Sequence, residues 1–317
     1  MMKRIQNKVA ESRNLLPFMV VYGVSVWLAY GLLLSVSPFS LSHVVFLVCL
    51  ALSTALMVVL NNNHTLIRTY SRTVSCTFIA LTCMLCFQPD SIRSAMVCLC
   101  FIASYLCAFH SYQDKQSPGW VYYAFLCLGL ATMLFPLLFL FVPLGWLFMQ
   151  FLLNSLSLRT FMASLLGLFT PYWFLLAYLL WQGNLTLLGI RQDLILDINL
   201  SPFSALTVNQ GLSYGWIVVL TLTGIIHFWR NQLSDKIRTR QFYGCFIWLS
   251  LICIVAIPLL PQHYDMLIRL LIVNASPLIA HFLTLTHTRI TDIAFKCICV
   301  GTLLITLLNL WMPSLTF

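Results

Sequence analysis

Several groups of side chains in this sequence have types and spacings that can do chemistry. The first lies in QGNLTLLGIRQDLILDINLSPFSALTVNQG, where Asp193 and Asp197 stand four residues apart with Arg191 nearby. On a helix that spacing puts both carboxylates on one face. There they can hold a divalent ion or serve as a general base for group transfer at a membrane surface. The same stretch also reads as an interfacial helix with a solvated polar face and Leu194, Ile195 and Ile198 turned to lipid. The second group lies in MLIRLLIVNASPLIAHFLTLTH, where Asn274, Pro277 and His281 fall at i, i+3 and i+7. Lipid cannot hydrogen-bond such groups, so they turn into a helix bundle. There they either line a substrate cavity, with Pro277 freeing a carbonyl, or bond neighbouring helices. The third is NNNHTLIRTYSR, Asn61 to Arg72. Arg68 and Arg72, at i and i+4, can meet phosphates or anionic headgroups at a membrane rim. Its plainer reading is a turn, with Asn61–Asn63 ending one helix and capping the next.

Other chemistries find little support. Cys83 and Cys86 form a CxxC with Cys76 on a similar helix face, but a zinc site wants more polar ligands and a second shell. Cysteine as a small apolar filler suits the greasy surroundings of nearly all twelve. His64 has no second His, Cys or carboxylate beside it, and the remaining histidines stand near span ends without a triad or an HExxH arrangement. No phosphate-cradling glycine loop occurs, and the sequence leaves any cofactor unknown. None of the eight acidic residues falls near the middle of a span, which argues against a cation-coupled transporter built on an intramembrane carboxylate.

The elements that must position these residues follow from composition. Hydrophobic residues make up 61% of the 317 and charged residues 8%, against about 25% charged in a soluble domain. So few polar side chains cannot clothe a water-soluble globule. The apolar runs match the roughly 20 residues a helix needs to cross a bilayer. An all-α polytopic bundle is expected, a single integral membrane domain over residues 1–317. The expected spans are 17–35, 42–60, 73–87, 93–110, 120–135, 137–153, 160–181, 214–229, 242–260, 266–286 and 293–311, about eleven in all. MMKRIQNKVAESR reads as a basic flank to a retained first span, because the apolar run is longer than a signal core and no clear cleavage site follows. Trp120, Trp181 and Trp311 suit an interfacial belt. The sequons at Asn184 and Asn274 carry no argument, the second being buried in a span.

Charge decides how the chain threads. Residues 120–153 as one helix would be about 51 Å long against a core of about 30 Å, and Pro136 near the middle favours a break. If this segment crosses twice, Lys3, Arg4, Lys8, Arg13, Arg68, Arg72, Lys115, Arg159, Arg230, Lys236, Arg238, Arg240, Arg289 and Lys296 share one side. Only Arg93, Arg191 and Arg269 remain on the other. Bases gather in short cytoplasmic loops, so the hairpin is preferred, with the N-terminus cytoplasmic and the C-terminus external. A single crossing would divide the bases almost evenly. The formal charge of +9 is thereby a consequence of topology, and no nucleic-acid partner is needed to explain it.

The stretch NNNHTLIRTYSR and the later GLATMLFPLLFLFVPLGWLFMQFLLNSLSLRTFMASLLGLFTPYW carry a resemblance. From about Asn61 to Ala177 the chain resembles a family of Bacteroidota multispanning inner-membrane proteins, a domain of unknown function. The family pattern runs Gly-Leu-Ala, an apolar stretch with Pro, a basic turn, then Gly and Pro opening a long helix. Here these are Gly129, Leu130, Ala131, Pro136, Arg159, Gly167 and Pro171. The same succession of short paired helices is similar to the middle of GT-C-type polyprenyl-phosphate-sugar glycosyltransferases. Those enzymes carry an acidic residue in a long first external loop. The corresponding loop here, Ser35 to Ser42, is short and has no carboxylate. If transfer occurs, Asp193 and Asp197 would have to substitute.

Three functions follow as expectations. One is an inner-membrane protein of cell-envelope biogenesis transferring a sugar from a lipid carrier. Another is a translocator of a lipid or lipid-linked substrate, with a cavity lined by Asn274 and His281. The last is a non-catalytic membrane scaffold. The expected partners are membrane lipids, a polyprenyl-phosphate-linked substrate or other envelope proteins.

Overall fold

The computed structural model describes residues 6, 9, 12–33, 41–69, 71–85, 92–182, 206–286 and 288–311. Among them the regular structure is entirely helical. In chain order the helices are α1 (Leu15–Leu33), α2 (Leu41–His64), α3 (Thr73–Met84), α4 (Ile92–His110), α5 (Pro118–Leu134), α6 (Phe141–Phe151), α7 (Leu158–Gln182), α8 (Val208–Asn231), α9 (Ile237–Leu259), α10 (Tyr264–Leu285) and α11 (Arg289–Trp311). A 3-10 turn, Pro136–Leu140, leads into α6. Among the described residues eight helices are long and apolar enough to cross a membrane; α3, α5 and the Pro136–Phe151 segment are shorter apolar helices. Helices are the form these sequences must take in lipid, because each helix satisfies its own backbone donors and acceptors.

Each expected span matches a helix, with boundary shifts that have local causes. The second was expected to stop at Leu60, but α2 continues through Asn61–Asn63 to His64. The reversal falls on Thr65, in the left-handed region at φ 46°. Asn61 does not cap α3 by accepting an amide. Its Nδ2 instead donates to Ser71 O at 3.0 Å, tying the turn shut. Ser71 Oγ accepts from the Thr73 amide at the start of α3. α8 opens on a capping box, with Thr207 and Gln210 each bonding the other's backbone amide.

The chain divides into two compact units, Met1–Ala95 with Asn199–Phe317, and Met96–Ile198. In the first, α10 is the pillar: its apolar window is 94% buried, whereas that of α11 is 11% buried. α10 packs against α3, α8 and α9. Pro277 lies within it without ending the helix, and hydroxyls from both sides reach carbonyls beside the proline. Thr77 donates to Ser276 O and Tyr243 to Pro277 O. At one end of this unit Gln6 bonds Asp292, Leu283 and Thr286. At the other, Asn309 Nδ2 donates to Met84 O at 2.7 Å and Ser213 Oγ at 2.9 Å, so α3 ends where α8 begins.

In the second unit α5 lies along α7. A Cβ on Gly129 would stand 2.6 Å from Leu168 O, and one on Gly167 would collide with Tyr122 O. Only glycine lets these two backbones meet, the small-residue packing favoured between helices in lipid. α7 starts at Leu158, so Gly167 and Pro171 lie within the long helix and do not open it. Residues 118–151 double back. The Gln113 amide, just before α5, donates to Leu153 O, just after α6, at 2.8 Å. Pro136, at the head of the 3-10 turn, marks the break.

Candidate functional site: a buried Asp–His–His chain

At the end of the first unit where α8 meets α9, a short connection carries Asp235 out of a 3-10 turn, Gln232–Ser234. Its neighbours in sequence are basic, yet its side chain is only 1% exposed. Burying a carboxylate costs several kcal/mol unless charge and hydrogen bonds meet it. Both oxygens are met. Arg68 Nε donates to Oδ1 at 3.0 Å from the α2–α3 turn, and His281 Nε2 lies 3.0 Å from Oδ2. Arg68 Nη1 also donates to Ser234 O. The guanidinium thereby clamps one connection to the other.

The chain continues beyond His281. Its Nδ1 stands 3.3 Å from Nδ1 of His227 on α8. The partners assign the tautomers. Asp235 accepts from His281 Nε2–H, so the other nitrogen of a neutral ring is an acceptor and His227 Nδ1–H donates to it. His227 Nε2 is then left with its lone pair, on a ring that is half-buried. The sequence of groups is Arg68, Asp235, His281, His227, four side chains from three parts of the chain.

The packing that positions them is read in register. A Cβ on Gly224 of α8 would stand 2.9 Å from the backbone of Leu278 on α10. Glycine there lets the two helices touch. His227 and His281 each follow that contact by three residues, one turn along the same faces, so the close approach brings the rings together. Phe228, stacked on Tyr243 at 4.7 Å, walls the site, and both rings meet His281 edge-on at 5.4 and 5.1 Å. This dry wall strengthens the charge–dipole interactions inside it. His281 is four residues from the end of α10, so the site is about 6 Å inside the end of the helix.

A metal is not what these groups are arranged for. Asp235 and His227 lie on opposite nitrogens of the His281 ring, so their donors do not converge on one point. Among the described residues no group of three or more His, Cys, Asp or Glu side chains is placed to hold an ion. The arrangement can pass a proton along two imidazoles to a carboxylate.

Close by, Arg238 Nη2 lies 3.1 Å from His64 Nδ1 and its guanidinium sits over the Phe242 ring at 5.3 Å. His64, without company in the sequence, thereby acquires an arginine and an aromatic ring, 5.4 Å away, from α9.

The structure brings together two of the residues singled out above, Arg68 and His281. Arg72 stands half-buried immediately before α3. Asn274 is fully buried, its Nδ2 donating to Leu270 O of its own helix. Neither Asn274 nor His281 lines either of the two described apolar clefts. Arg191, Asp193 and Asp197 lie outside the described residues, as does Cys86. Sequence reasoning missed His227 and Asp235. The available signal was a lone carboxylate in a connection otherwise rich in bases, Arg230, Lys236, Arg238 and Arg240, a few residues after a histidine. No protein-family model, curated protein or solved structure matches the chain.

Proposed function

We propose that this integral membrane protein is a translocator of a lipid or lipid-linked substrate in a bacterial inner membrane, serving cell-envelope biogenesis. The Asp235–His281–His227 chain is its protonation-linked latch. The observation that carries this reading is that one buried carboxylate joins the α2–α3 turn, the α8–α9 connection and the central helix α10. Protonating it removes the negative charge that Arg68 and His281 both face and turns one of its two accepting oxygens into a donor. Translocation requires such a bistable element, whose two packings a small chemical change can favour in turn.

The reading includes a topology of about eleven crossings, N-terminus cytoplasmic and C-terminus external. The basic connections support it, and so do two contacts. Asn309 brings the end of α3 and the start of α8 together, which supports an even number of crossings between them. The meeting of Gln113 with Leu153 supports the doubling back that this topology needs between α4 and α7. The test is movement of a fluorescent anionic lipid across liposomes holding the purified protein. Asp235→Asn should slow it about tenfold or more while the variant stays folded. Equal rates in variant and wild type, or no movement by wild type, would refute the proposal.

A second reading keeps the transferase. Its support is the packing of the short helix α5 along α7 and the doubling back of the chain between Gln113 and Leu153. On that reading Asp193 and Asp197 supply the carboxylates, and Asp193→Asn with Asp197→Asn abolishes an envelope glycan. Normal glycans in that variant would remove it.

A further inference from the structure

Between α1, α3, α8, α10 and α11 of the first unit lies an apolar cleft of about 330 Å³. Along α3 it runs from Thr73 through Thr77 and Ala80 to Leu81, and along α11 from Phe295 to Thr302. Each wall is about 10–12 Å long at 1.5 Å per residue. The cleft begins at the end of the unit that carries the Asp235 site, since Thr73 opens α3, Leu283 lies in the last turn of α10 and Phe295 lies in the second turn of α11.

In a bundle immersed in lipid, such a cleft fills with an alkyl chain. The chain itself brings little selectivity, because lipid tails are as apolar as leucine and gain little by changing places. Selection must come from the head, at the cleft's mouth. Arg72 immediately precedes Thr73 and stands four residues before Cys76, so it continues the stripe of α3 that lines the cleft. Lys296 follows Phe295 on the opposite wall, with half its side chain exposed and paired to Asp292 at 3.2 Å. Arg13 is exposed between Val9 and Leu15, which both line the cleft. Arg72 thus stands beside lining residues at one end of an apolar slot, with Arg13 and the Asp292-paired Lys296 close to lining residues in sequence, a charge pattern complementary to an anionic head on a hydrocarbon tail.

We infer that this cleft is a binding site for one acyl chain of an anionic glycerophospholipid, with its phosphate held at the Arg72 end. The inference rests on the membrane reading of the helices but not on translocation or on the Asp235 latch. It is tested by native mass spectrometry of the full chain from nanodiscs containing equal phosphatidylglycerol and phosphatidylcholine. Wild type should retain phosphatidylglycerol preferentially. Arg72→Gln should lose the preference. Ala80→Phe on one wall and Thr302→Phe on the other should each lose the bound lipid itself, with thermal unfolding confirming that the variants fold. Asp235→Asn should retain the preference, which separates this site from the latch. Equal retention of both lipids by wild type, or an undiminished preference in Arg72→Gln and both filling variants, would overturn it. Inorganic phosphate serves as a further arm: displacement of the lipid by phosphate alone would show an ion site without a tail site and equally overturn the inference.

Discussion

Asp235 stands among bases that face water, yet its own carboxylate is turned into the protein and held by Arg68 and His281. The two partners differ in exposure, and so should their substitutions. His281 is fully buried, and removing it leaves a desolvated carboxylate half-paired. His281→Ala should cost about 3–5 kcal/mol, read as a large fall in melting temperature in detergent. Arg68 has a side chain 45% exposed, where water and salt compete for the pair. Arg68→Gln should cost about 1 kcal/mol or less. Equal losses from the two would mean that the carboxylate is not held mainly from within. Asp235→Leu removes acceptor and charge together. It should destabilise less than His281→Ala, since an apolar side chain strands no buried charge, although it should abolish the proposed latch.

At the scale of helices, close approach is what assembles the site. Gly224 is the point where α8 touches α10, one turn from the paired imidazoles. Gly224→Leu must push the two backbones apart, at about 1–3 kcal/mol for overpacking, and lengthen the His227–His281 contact. The expected outcome is lost stability together with lost transport. Full transport by a folded Gly224→Leu variant would show that the rings need not touch. Gly129 and Gly167 do the same for α5 and α7 in the other unit. Gly167→Leu should lower stability by a similar amount, about 1–3 kcal/mol, without altering the phospholipid preference of the cleft, which lies in the first unit. Proline serves two ends here. Pro136 breaks a segment too long for one crossing, while α10 runs through Pro277 to Leu285.

For the whole molecule the decisive quantity is the parity of crossings. Cysteines placed at Gln113, Leu233 and Gln262, with the exposed Cys297 and Cys299 replaced by serine, report it through membrane-impermeant labelling. Gln113→Cys and Leu233→Cys should react only from the cytoplasmic side and Gln262→Cys only from outside. Reaction of Gln113→Cys and Leu233→Cys from opposite sides would show that α5 and α6 do not cross twice. The basic connections would then be split between the two faces. The exposed apolar side chains support the same picture of a lipid-facing surface: Phe169, Trp173 and Phe174 on α7 and Ile293, Val300 and Leu307 on α11 would be a severe liability in water.

The helices, their order and the doubling back at Pro136 could be read from the chain alone, because each rests on local composition. An apolar run of membrane length must satisfy its own backbone as a helix, and basic loops report sidedness without any knowledge of packing. Asn274 and His281 could likewise be placed inside a bundle, but not given partners. The tertiary structure alone supplied Asp235 and His227, 46 and 54 residues from His281. It also supplied Arg238 for His64, 174 residues away. No periodicity carries such pairings. They are set by where glycines let helices touch and by how connections fold back over the helix ends, and a buried charge finds its partners there regardless of distance along the sequence.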